Sequence, residues 1–166
     1  MRDLVRARGD MLDDRKRMRQ RLNAVLLRHG RVWRGGTKWT ATHRQWVGAQ
    51  SFAEPALDGA LATYRGGLAA REAELAAVEA ELGACARAEP LAGTVRRLGA
   101  YRGIGELTGL TLAAEVVDWR RFASARAFMG FAGLVPTEYS SGDRTRRGHI
   151  TKAGPAGVRT ALIEAA

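Results

Sequence analysis

Apolar residues recur at helical spacing over much of the chain. Leu4, Met11, Met18 and Val25 follow one another every seven residues, and Leu22 and Leu26 widen the stripe. That spacing puts one apolar face on a helix and is compatible with a coiled-coil seam. Residues 1–30 lack proline, and Gly9 is their single internal glycine. Gly30 supplies a stop signal, and Arg28 and His29 suit the negative end of the helix dipole. A second ladder, Leu61, Leu68, Leu75 and Leu82, has Tyr64, Val78 and Cys85 at companion positions and predicts a helix over residues 54–88. Pro55 fits its first turn, while the Gly66-Gly67 pair weakens it. The two helices can close an antiparallel hairpin within one chain or between subunits. Equally, each stripe can pack on the chain's own core.

Between the ladders, residues 31–53 break the period. Trp33, Trp39, Trp46 and Phe52 gather around a Gly35-Gly36 turn signal, which reads as a connector whose aromatics pack on neighbouring helices. Pro90 ends this arm, assigned to residues 1–90. From residue 91 the texture changes to short helices joined by glycine, predicted near 92–101, 105–117, 123–132 and 155–166. Leu134 and Val135 suggest a short extended segment ahead of Pro136, and the stretch YSSGDRTRRGHITKAG, residues 139–154, reads as the loop before the last helix. Phe122, Phe128, Met129 and Phe131 are assigned to the core, and Gly130 and Gly133 to close backbone packing. The fold class is therefore mainly α, a long helical, coiled-coil-like arm followed by a small domain over residues 91–166.

Charge narrows the partners. The chain has 27 Lys and Arg against 17 Asp and Glu, a formal net charge of +10 and a sequence pI of about 11.1. That excess points first to nucleic acid, although a membrane surface predicts the same sign. No apolar run approaches the roughly 18 residues that a spanning helix needs. The amino terminus has no apolar signal-peptide core. One cysteine, Cys85, forbids an internal disulfide and fits a reducing compartment. The expected location is the cytoplasm, with no membrane partner.

Two constellations bear on chemistry. In LGAYRGIG, residues 98–105, a tight Gly103-Ile104-Gly105 turn between two helices resembles a helix-hairpin-helix. Glycines open backbone conformations closed to other residues, and the N–H groups that begin the second helix can face a phosphate. Arg97 and Arg102 flank the turn, so Arg102, Gly103 and Gly105 are candidate DNA contacts. A dinucleotide-binding reading of these glycines fails on spacing, and no phosphate-binding Walker loop occurs. In residues 139–154, Ser140 and Ser141 stand beside Arg144, Arg146, Arg147, His149 and Lys152. A serine attacking a phosphodiester needs help losing its proton and cations to steady the charge on the phosphoryl oxygens. The composition meets both needs, yet it equally suits a solvated nucleic-acid-binding loop. The three histidines, His29, His43 and His149, lie far apart, and no spacing resembles a metal site. Glu115 and Asp118 read as a solvated face or as partners for nearby arginine.

Residues 97–166, with LGAYRGIG, LAAEVVDWRRFASARAFMGFAGLVPTEYSSG and RRGHITKAG, closely resemble the carboxy-terminal domain of bacterial insertion-sequence transposases of family 110/116/902. The segments RDLVRAR and LLRHGRVWRGGTKWT are similar to that family's central helical arm. The resemblance implies a DNA recombinase with a serine nucleophile, guided by a structured RNA. Its counterpart here is the Ser140-Ser141 pair. We assign Ser141, which abuts Gly142, with Ser140 as the alternative, and Arg144, Arg146, Arg147, His149 and Lys152 as DNA contacts. The family also carries an amino-terminal RuvC-like domain with acidic metal-binding residues, which this sequence does not include, and a longer tail. The expectation is accordingly a truncated fragment, inactive alone, with no cofactor of its own and a divalent metal needed only by the RuvC-like domain. Self-association as a homo-oligomer is expected through the arm. The alternative is a non-catalytic, dimeric nucleic-acid-binding protein.

Overall fold

A computed structural model describes every residue except Ser140, Gly142, Asp143 and Thr145. The protein is mainly helical. The described elements are α1 (Arg2–Arg28), α2 (Ala41–Ala49), α3 (Pro55–Ala86), α4 (Ala92–Leu98), α5 (Glu106–Val116), a 3-10 turn (Trp119–Arg121), α6 (Ala125–Ala132), strands β1 (Pro136–Glu138) and β2 (Arg147–Ile150), and α7 (Ala156–Ala165). The chain forms two compact units, one of Asp10–Ala77, the other of Met1–Gly9 together with Val78–Ala166.

In the first unit α1 ends where the glycine signal places it. Gly30 has φ +72°, its N–H bonds to the Leu27 carbonyl at 3.1 Å, and the Arg31 N–H reaches the Leu26 carbonyl at 2.9 Å. This left-handed exit satisfies carbonyls that the helix end would otherwise orphan. Leu22 and Leu26 of α1 pack with Leu61 and Leu68 of α3 and Val47 of α2, with Met18, Trp39, Trp46, Phe52 and Tyr64 around them. The seam is thus closed within one chain. Gly66 and Gly67 do not interrupt α3. A Cβ on Gly67 would lie 3.0 Å from the Met18 methyl, so that glycine sits where α1 comes close, whereas Gly66 faces open space.

The connector holds a helix that the sequence reading does not include. Thr40 caps α2, accepting from the His43 N–H at 3.3 Å. His43 and Val47, four residues apart, turn one face of α2 inward. Fully buried His43 is ringed by Trp33, Trp39 and Trp46, with centroids 5.0–5.7 Å away.

The second unit has two cores. Val5, Leu82, Ala86, Val95, Leu110, Ala113 and Ala114 form one. Leu112, Ala132, Val158 and Ala161 form the other, with Ile104, Phe128, Phe131 and Leu134 packed against it. Gly109 lets α5 approach α4, 3.4 Å from the Val95 carbonyl oxygen to an added Cβ. Two core assignments need correction. Met129 is 45% exposed, because its position on α6 is turned about 100° from the inward Phe128. Gly130 has nothing within 4 Å of an added Cβ, so only Gly133 of that pair marks close packing.

Candidate functional site

The serine-arginine stretch is not a plain loop. β1 and β2 pair antiparallel, Pro136 opposite Ile150 and Glu138 opposite Arg147, with a register shift between them. The extra residue on β2 marks a bulge, which sharpens twist and re-aims side chains. Beyond β1 the pairing continues. The Tyr139 N–H bonds to the Arg146 carbonyl at 2.8 Å, and Ser141 and Arg144 exchange two backbone hydrogen bonds of 3.2 Å. Ser141 and Arg144 are therefore opposite one another near the hairpin's far end, and both are exposed. Ser140 lies outside the described residues.

Backbone hydrogen bonds fix the hairpin's near end to the core. The Thr151 N–H bonds to the Val135 carbonyl at 2.9 Å, and the Lys152 N–H to the Gly133 carbonyl at 3.1 Å. Gly133 ends α6 in the left-handed region, φ +68°, and an added Cβ would stand 2.7 Å from the Ala153 nitrogen. Gly154, φ +124°, lies closer still, 2.0 Å from the Phe131 carbonyl oxygen to an added Cβ. Neither position has room for any other residue. From α7, Arg159 donates to the Ala132 carbonyl at 3.2 Å, covering the end of α6. Within the hairpin a Cβ on Gly148 would meet the Thr137 hydroxyl at 2.4 Å, and that hydroxyl donates to the His149 carbonyl at 3.0 Å.

Arg144, Arg146, Arg147, His149 and Lys152 are all exposed. Lys152 holds φ +54°, a left-handed conformation unusual for a residue with a side chain. The Ser141 hydroxyl has no hydrogen-bond partner among the described residues. Among those residues no three His, Cys, Asp or Glu side chains gather as a metal site would require.

The Gly103-Ile104-Gly105 turn joins α4 to α5 elsewhere in the same unit. Gly103, φ +84°, is pressed on the carboxy-terminal end of α7, an added Cβ lying 2.4 Å from the Ala165 carbonyl oxygen. Ile104 is partly buried in the second core. Arg102 and Gly105 are exposed, and Gly105 caps α5 in extended conformation with open space at its Cβ position. No hydrogen bond among the described residues links this turn to the hairpin. α7 touches the turn through Ala165 and the end of α6 through Arg159.

Glu115 is not on a solvated face. It is 4% exposed, and Arg6 grips both carboxylate oxygens, Nε to Oε1 at 2.8 Å and Nη2 to Oε2 at 3.1 Å. Arg2 adds a contact at 3.5 Å. The partnership with arginine is real but long-range, across more than a hundred residues. The arrangement holds the Arg6 proton more firmly than usual, through the hydrogen bond first and the charge second. Asp118 instead caps the 3-10 turn, accepting from the Arg120 N–H at 2.9 Å.

The fold and site define a mainly helical, basic protein that presents an arginine-rich β-hairpin on a helical core. No described helix is long and apolar enough to cross a membrane. Residues 95–166 match the Transposase IS116/IS110/IS902 family. The chain is 40% identical over 169 residues to "Putative transposase y4qE" of Sinorhizobium fredii, covering all of this chain and 39% of that protein. Over its carboxy-terminal part it is 36% identical across 73 residues to the transposase for insertion sequence element IS1328 of Yersinia enterocolitica, covering 44% of this chain and 22% of that one. It is 38% identical across 71 residues to the transposase for IS1111A of Coxiella burnetii, 43% of this chain and 20% of the relative. Residues 95–166 therefore carry the domain of the insertion-sequence transposases of the IS116/IS110/IS902 type. It spans about two fifths of the length of its full-coverage relative.

Proposed function

We propose that the hairpin is the strand-cleaving element of a DNA transposase and that Ser141 is its nucleophile. The observation that carries this reading is the Ser141–Arg144 backbone pairing, which sets an exposed hydroxyl opposite an arginine on a hairpin anchored to the core. A hydroxyl placed by paired backbone meets a phosphate in a defined approach, and orientation of this kind lowers the barrier to attack. Ser141 Oγ forms a bond to phosphorus as the bond from phosphorus to one bridging oxygen breaks. The serine proton leaves to solvent or a neighbouring base, and the departing oxygen takes up a proton. Arg144, Arg146 and Arg147 supply positive charge where the phosphoryl oxygens gain negative charge. His149 and Lys152 add phosphate contacts on the return strand, and Arg102 with the Gly103–Gly105 turn adds another at the start of α5. The structured guide RNA and the acidic, metal-binding RuvC-like domain belong to this reading through the family resemblance.

The test joins the chain to that acidic domain and its RNA, supplies element-end DNA and looks for a covalent protein–DNA adduct on a denaturing gel. Ser141→Ala should abolish the adduct and leave DNA affinity within about twofold, since only a hydroxyl is lost. Arg146→Ala should weaken binding and adduct formation together. An adduct that persists in Ser141→Ala and vanishes in Ser140→Ala moves the role to Ser140. Normal recombination by the double alanine variant leaves the hairpin as a non-catalytic phosphate clamp.

A further inference from the structure

The other compact unit carries a charge pattern that the hairpin reading does not use. Between residues 15 and 53 there are ten Lys and Arg and not one Asp or Glu. Some of these cations are held locally or from outside the stretch. Arg17 pairs with Asp14, Arg19 and Arg44 share Glu72, and Arg31 reaches the Ser51 carbonyl while lying over the Phe52 ring. Arg21, Arg28, Arg34 and Lys38 are exposed, and none has a hydrogen-bond or ion-pair partner among the described residues.

Their placement is ordered. On α1, Arg17, Arg21 and Arg28 fall within about 40° of one another, beside the buried Leu22, Val25 and Leu26. Arg21 and Arg28 are about 10 Å apart along the axis at the helical rise. Past the Gly30 exit, Arg34 and Lys38 follow in the chain and flank the Gly35-Gly36 turn. Like charges gathered without carboxylate partners repel one another and give no internal stabilisation, so their chemistry is directed outward. We propose that this stripe is a second nucleic-acid surface, gripping the phosphodiester backbone of a duplex through Arg21, Arg28, Arg34 and Lys38. Four unpaired cations with no carboxylate between residues 15 and 53 suit a polyanion, and the phosphodiester backbone of a duplex supplies closely spaced negative charges. Binding through phosphate contacts positions the ligand and carries no sequence information. The inference concerns a different unit from the hairpin and does not rest on the serine's role.

The experiment uses the whole chain and two probes, a DNA duplex and an RNA hairpin of equal charge, titrated at several salt concentrations. The quadruple variant Arg21→Gln, Arg28→Gln, Arg34→Gln, Lys38→Gln should lower affinity at least tenfold at low salt. It should also flatten the salt dependence by up to about 3.6 in log–log slope, because each of four neutralised phosphates of B-DNA contributes about 0.9. Loss on DNA alone, or on RNA alone, identifies the ligand; loss on both assigns the shared backbone chemistry. The charge-preserving set Arg21→Lys, Arg28→Lys, Arg34→Lys should keep the wild-type slope, which a structural role for the arginines would not predict. An unchanged slope and affinity on both probes, with the fold intact by circular dichroism, overturns the proposal. Because Arg144→Gln with Arg147→Gln reports on the hairpin separately, failure of one surface is distinguishable from failure of the other.

Discussion

Arg6 holds both carboxylate oxygens of Glu115, at 2.8 and 3.1 Å, so the first turns of α1 are tied to the far end of α5. A buried carboxylate with a two-pronged partner is stable only while the partner stays. Glu115→Ala leaves Arg6 without its acceptors, removes the ion-pair contact of Arg2 and opens a void beside the core. Its thermal midpoint should fall by on the order of 5 °C or more. Arg6→Lys should recover only part of the wild-type value, because an ammonium cannot match the bidentate geometry. Thermal unfolding followed by circular dichroism measures both, and an unchanged midpoint for Glu115→Ala would show that the pair contributes nothing net.

Two glycines of the same neighbourhood should respond oppositely to alanine. Gly154→Ala drives a methyl into the Phe131 carbonyl and asks alanine to hold φ +124°, so it should destabilise by about 2 kcal/mol or more. Gly130 lies inside α6 with open space around it, and Gly130→Ala should stabilise by up to about 1 kcal/mol. Chemical denaturation of the two variants side by side checks the contrast.

Val117 has φ 64° and ψ −67°, and the Asp118 N–H bonds back to the Val116 carbonyl at 2.8 Å. That is a three-residue turn of the strained hand, adopted here by a β-branched side chain that is 69% exposed. Val117→Gly keeps the turn and removes the clash between side chain and backbone. It should raise stability by about 1 kcal/mol in equilibrium unfolding.

His43 gives the first unit a pH dependence. Burial, then the charges of Lys38 and Arg44, hold its pKa below the ordinary histidine value. Its Nδ1 accepts from the Trp39 N–H at 3.1 Å, which fixes the neutral form with the proton on Nε2. Since the folded pKa is depressed, protonation favours the unfolded chain. Stability is complete above the unfolded value near 6.5 and declines as pH falls below it, until the folded pKa is passed. The midpoint should drop between pH 7.5 and 5, and His43→Gln should flatten that drop while lowering the starting value. Melting curves across that pH range decide it.

Periodicity along the chain is enough to give the two long helices, though not α2. Leu61, Leu68, Leu75 and Leu82 repeat at a period that only a helix turns into one face, and all four are buried. Gly30 and Pro55 mark helix ends by backbone chemistry that needs no partner, and the structure places both at the expected ends. The transposase family is legible too, because the matching residues, 95–166, form one contiguous stretch that includes the hairpin. Features that depend on residues distant along the chain emerge only from packing. Strands of three and four residues, PTE and RGHI, are too short and too polar to show a period of two, so their pairing emerges only when the hairpin closes on the end of α6. The roles of Gly130 and Gly133, three residues apart, separate only because residues 152–154 pass against one and not the other. Glu115 is a buried clamp rather than a solvated acid because Arg6, 109 residues away, is brought to it by packing that no local pattern encodes.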